Sequence, residues 1–124
     1  MASQDSRAVG VGRPGGETSL RSRSRPIDLE HLSRQTLGDR NVQQEVLAMF
    51  ASQALAVRDS IIQANASERF QLAHGLKGSA RGIGAFTLAD CADRIEKSPD
   101  DRAAVKRLAV LIDDVRDFIA AISR

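Results

Sequence analysis

Val105, Leu108, Ile112, Val115, Ile119 and Ile122 follow one another at spacings of three, four, three, four and three. Only a helix brings side chains at that spacing onto one stripe, and a stripe of large aliphatics needs other helices to cover it. The preceding hundred or so residues offer them. Asp28 is placed to cap a short helix over about 28–36, carrying Leu29 and Leu32 and ended by Gly38. A long helix over about 40–64 carries Val42, Val46, Phe50, Ala54, Val57 and Ile61 as its apolar stripe. Asn65-Ala66-Ser67-Glu68 reads as a capping box that opens a third helix, with Gly82 and Gly84 placed to stop it within 80–84. A fourth, over about 85–97, sets Leu88, Cys91, Ala92 and Ile95 on one face. Ser98-Pro99-Asp100-Asp101 reads as the start of the last, with serine as cap, proline in the first helical position and the aspartates at the positive dipole end. Strand patterns are missing. The expected fold is all-α, an antiparallel up-down-up-down four-helix bundle with a short extra N-terminal helix.

At 124 residues the chain has room for one domain, expected over residues 26–124. Aromatics are only 3% of the chain and Trp and Tyr are absent, so the core must be aliphatic. Residues 1–25 are rich in Gly, Ser and Arg, with five arginines against Asp5 and Glu17. They are expected to form a disordered tail. That segment carries a charge of +3 in a chain of net +2, so the domain itself is slightly acidic and nucleic acid is not its expected partner. No apolar run is long enough for a membrane span, and the N-terminus lacks the apolar block of a secretion signal. Cys91 is the only cysteine, which leaves no internal disulfide and no cysteine-based metal site. A cytoplasmic monomer is the expectation, with one apolar seam per helix consumed inside the bundle.

The third helix contains the chemistry. Taking Leu72 and Leu76 as its buried face, His74 lies about 160° from each and so points away from the core. Gln71, Lys77, Gly78 and Arg81 share its face at helical spacings. A neutral imidazole is a nucleophile able to carry a phosphoryl group. Lys77, one turn away, is an ammonium suited to balancing charge on phosphate oxygens. A mid-helix glycine costs roughly 0.5–1 kcal/mol against alanine, so Gly78 is read as a notch that lets another protein reach the imidazole. Phe70, one turn before His74, is either a docking residue or an end-cap of the core, and Arg69 and Arg81 are candidates to face an acidic partner. No serine or cysteine nucleophile is paired with the histidine, and neither "GLKGS" nor "GIGAF" has the spacing of a nucleotide-binding loop. A phosphate acceptor without a nucleotide pocket is half of a reaction.

His74-Gly75-Leu76-Lys77-Gly78-Ser79-Ala80, followed by Ile83-Gly84-Ala85, resembles the H-x-L-K-G-[SA]-[SA]-x-x-[ILV]-G-A signature of histidine-containing phosphotransfer domains. "IDLEHLSRQTLGD" resembles the leading helix of that family and "LADCADRIEKS", with Glu96, its post-motif helix. The resemblance implies a phosphorelay intermediary: His74 phosphorylated by a receiver-domain aspartate of a hybrid histidine kinase, then dephosphorylated by a response regulator. Lys77 would assist charge, Gly78 would give access, and Phe70, Gln71 and Arg81 would meet the receiver. It further implies no cofactor of the chain's own, Mg²⁺ being supplied by the receiver, and a phosphocarrier without kinase activity. The alternative is a helical adaptor or scaffold module that keeps the bundle without the chemistry.

Overall fold

A computed structural model of the chain describes residues 25–123; the expectation of a disordered tail falls, apart from Arg25, outside the described residues. The described residues form five helices: α1 (Leu29–Gln35), α2 (Arg40–Ile61), α3 (Ala66–Ile83), α4 (Phe86–Lys97) and α5 (Arg102–Ile122). No strand occurs among the described residues. α3 packs on α2 and most extensively on α4, while α5 packs on α2 and α4, closing a helical bundle with α1 laid against α3.

α1, α2, α3 and α5 each begin where a side chain accepts from a backbone donor of the first turn, whereas Ala85 at the start of α4 offers no such cap. Asp28 accepts from His31 N, and Asp39 from Val42 N, both at 3.1 Å. Asn65 and Glu68 exchange bonds of 2.8 and 2.9 Å, completing the capping box read from the sequence. The last helix differs from expectation. Its cap is Asp101, which accepts from Ala104 N at 3.0 Å. Ser98 instead ends α4, and Asp101 N turns back to Ser98 O at 3.0 Å, so Pro99 and Asp100 sit in a tight turn before α5. An ionised aspartate is the stronger acceptor, and it also takes the Arg94 guanidinium at 3.0 Å.

The core stripe of α5 is the expected one: Val105, Leu108, Ile112, Val115 and Ile119 are buried and Ile122 half-buried. The α2 stripe is shifted. Val42 is exposed, Val46 half-buried, and Leu47 takes the buried place. Steps of four residues advance about 40° beyond a full turn each, so a run of them winds off the face. Leu47, Phe50, Ala54, Val57 and Ile61, spaced three and four, stay on it. On α3 the buried residues are Ala73, Leu76, Ala80 and Ile83, with Leu72 and Ser79 only half-buried. The alanines there let α4 come close.

Gly82 lies inside α3, and Gly84 alone stops it. Gly84 has φ +89°, and its N–H and that of Ala85 return to Arg81 O and Ala80 O at 3.3 and 2.8 Å. Its carbonyl accepts from Asp28 N at 2.9 Å, fastening the start of α1 to the α3–α4 turn. A Cβ on Gly84 would stand 2.8 Å from Asp28 O. Gly84→Ala is therefore expected to lose roughly 2 kcal/mol of unfolding free energy, from the left-handed backbone and the clash together, measured by urea denaturation.

Candidate functional site

His74 stands in the middle of α3, its side chain 65% exposed, and its Nδ1 lies 2.6 Å from Glu96 Oε1 on α4. The second oxygen of that carboxylate, Oε2, accepts from Lys77 Nζ at 2.6 Å, and the same ammonium donates to Asp93 Oδ1 at 3.2 Å. Asp93 Oδ2 in turn meets Lys97 Nζ at 2.9 Å. His74 and Lys77 lie about one turn apart on α3, and Asp93 and Glu96 about one turn apart on α4, so the carboxylates of α4 face the imidazole and ammonium of α3.

The carboxyl of Glu96 is held below its ordinary range, first by the Lys77 hydrogen bond and further by His74. Asp93 is held low by Lys97 and then Lys77. The Lys77 amine is correspondingly raised, chiefly by Glu96, against a burial effect that opposes it. Glu96 is thus an ionised carboxylate with acceptors only, and the hydrogen between it and His74 belongs to the imidazole. Nδ1–H donates inward, which leaves the lone pair of the neutral ring on Nε2.

The sequence places Lys77 on the histidine's own open face as a mobile ammonium. In the fold it leans instead toward α4, with its side chain only 16% exposed. Two of its three donors are engaged there, which leaves one. Gly78 is exposed and a Cβ built on it meets nothing within 4 Å. Gly75 and Gly82 are equally unconstrained, the former reaching only Gln53 Nε2 at 4.0 Å. No packing contact and no left-handed backbone asks for glycine at 75, 78 or 82, and together they leave one flank of His74 bare. An apolar groove of about 470 Å³ opens beyond that flank between α1, α2 and α3, with Val42, Met49 and Gly82 in its lining.

Phe70 is 40% exposed and outside the core cluster; its ring stacks on the imidazole, with centroids 6.0 Å apart and planes inclined by 7°. Gln71 is exposed and lines a recess with Ser60 and Gln63. Arg81 is exposed on the last turn of α3. Arg69 is half-buried, and its guanidinium donates to Ile61 O, Ile62 O and Pro99 O at 3.0, 2.7 and 3.0 Å, binding the end of α2 and the α4–α5 turn to α3. Glu96 and Asp93 were not singled out as site residues from spacing. The available signal was their position one residue beyond Ile95 and Ala92, at the edge of the buried stripe of α4. Among the described residues no group of His, Cys, Asp and Glu is arranged to hold a metal ion.

A family model described as Hpt domain matches residues 45–122. No curated protein and no solved structure matches the chain significantly.

Because Lys77 is the first cause of the low Glu96 titration, Lys77→Met is expected to move the Glu96 midpoint upward toward the ordinary value, followed by 13C NMR of its carboxyl. In the wild type the stability from this ionised carboxylate is complete above the ordinary glutamate pKa and is lost only as pH falls through the lowered native value. Gly78→Ala, which meets open space, is expected to raise stability by about 0.5–1 kcal/mol in urea denaturation.

Proposed function

Since the chain belongs to the Hpt domain family, whose members carry phosphoryl groups in phosphorelay signalling, we propose that His74 accepts a phosphoryl group from a receiver-domain aspartate and hands it to a second receiver. The observation that carries this reading is the imidazole, 65% exposed, whose Nδ1 is tied to Glu96 and whose Nε2 is left as the nitrogen with the free lone pair.

The step needs no proton transfer. The Nε2 lone pair attacks phosphorus, the bond from phosphorus to the aspartyl oxygen breaks, and the aspartate leaves as a carboxylate. The imidazole, still carrying its Nδ1 hydrogen, takes a positive charge spread over both nitrogens, and the Glu96 carboxylate 2.6 Å away offsets it. In the reverse sense an aspartate oxygen of the next receiver attacks phosphorus and the bonding pair returns to Nε2. Charge compensation at Glu96 keeps the phosphorylated ring accessible without making it a sink. The remaining N–H of Lys77 is the donor for a phosphoryl oxygen. A receiver approaches over the bare flank formed by Gly75, Gly78 and Gly82, with the adjoining apolar groove available for contact and Arg81 at its rim.

Mg²⁺ and the acidic residues that bind it belong, in this reading, to the receiver, and the chain is a phosphocarrier, not a kinase. Residues 26–124 form the relay domain as a monomer with its long helices antiparallel, an order favoured by connections of two to four residues. Among the described residues no helix is long and apolar enough to cross a membrane; the proposed relay acts in the cytoplasm.

Incubation with a phosphorylated receiver and Mg²⁺ is expected to label His74, giving an acid-labile, base-stable phosphate. His74→Gln abolishes the label; a mutant labelled as well as the wild type removes the assignment. Lys77→Ala is expected to slow transfer about 10- to 100-fold without loss of helical signal. Gly78→Arg is expected to block receiver-dependent transfer while leaving the thermal transition in place.

A further inference from the structure

The Glu96 contact fixes the imidazole at one point. A ring anchored only at Nδ1 still swings about that hydrogen bond and about its own Cβ–Cγ bond. Phe70 supplies a second restraint, a near-parallel stack with ring centroids 6.0 Å apart and planes 7° from coincidence. Set one turn earlier on the same helix, it needs no tertiary movement to stay in place. The residue lies outside the core cluster and keeps 40% of its surface exposed. Phe70 and Gly78 flank His74 at about 40° on either side of the helix, one side filled and the other empty.

We propose that Phe70 is a positioning residue for transfer at His74: its stacked ring fixes the imidazole plane, Glu96 fixes the imidazole edge, and the two together aim Nε2 at a phosphodonor arriving over the glycine flank. The consequence for transfer rests on the phosphotransfer reading above; the restraint on the ring does not. A docking role for Phe70 would act only when a receiver is present. A positioning role acts on any donor, including one too small to touch Phe70.

The test compares wild type with Phe70→Ala, Phe70→Leu and Phe70→Tyr, using phosphoramidate as a small donor and a phosphorylated receiver as a large one. Leucine keeps apolar bulk without a flat face, and serves in place of alanine should that variant fail to fold. Alanine and leucine are expected to slow labelling by both donors about 3- to 10-fold, and tyrosine to restore both. In 15N NMR of the imidazole near neutral pH, the share of the Nδ1–H tautomer is expected to fall in Phe70→Leu and to recover in Phe70→Tyr. Labelling by phosphoramidate at the wild-type rate overturns the proposal, even where receiver transfer drops, and so does an unchanged tautomer share. If neither donor labels wild-type His74, the phosphotransfer reading fails and the tautomer measurement alone decides the restraint by Phe70.

Discussion

One carboxylate joins the two halves of the site. Glu96 reaches across from α4 with one oxygen on the imidazole of His74 and the other on the ammonium of Lys77, both at 2.6 Å. A group so placed, with its side chain only 10% exposed, is costly to hold ionised unless both oxygens are satisfied. Here they are, and the arrangement settles which nitrogen keeps the hydrogen, where the lysine points and how α3 and α4 are registered against each other. The alanines at 73, 80, 89 and 92, all buried, allow the close helix approach that the reach of a glutamate requires.

The site is mid-helix, and the helix is secured beyond it in both directions. Toward the start of α3, Arg69 gathers three carbonyls from the end of α2 and the α4–α5 turn. Toward its end, Gly84 accepts the backbone of Asp28, and His31 from α1 meets the edge of Phe86 with ring centroids 5.1 Å apart. The short leading helix therefore does more than cover apolar surface: it ties the turn that terminates the helix bearing His74.

What the sequence made legible follows from what a helical wheel measures. Spacing alone placed His74 opposite the core, Cys91 inside it, the α5 seam and the capping box at Asn65, because each depends on residues within a turn or two of one another. Val42 was misplaced by steps of four whose angular drift accumulates, a fault correctable from the sequence itself. The sequence suggests Ser98 as the cap of the last helix, and the turn from Asp101 N back to Ser98 O, which gives the cap to Asp101, depends on backbone geometry that spacing does not carry. The lean of Lys77 toward α4, the three-carbonyl clasp of Arg69 and the stack of Phe70 were out of reach. Each depends on where a long side chain finds a partner on another helix or in a free direction of rotation, and a wheel drawn for one helix holds neither.

Anchorage of α3 at each end has a kinetic meaning. A surface that is already in its binding shape imposes no waiting step on association and surrenders little disorder when a partner arrives. Contacts made on such a platform need not be extensive to be productive, and a modest contact comes apart quickly. For a member of a family of phosphoryl carriers, capture without a rearrangement step is what such an anchored helix offers.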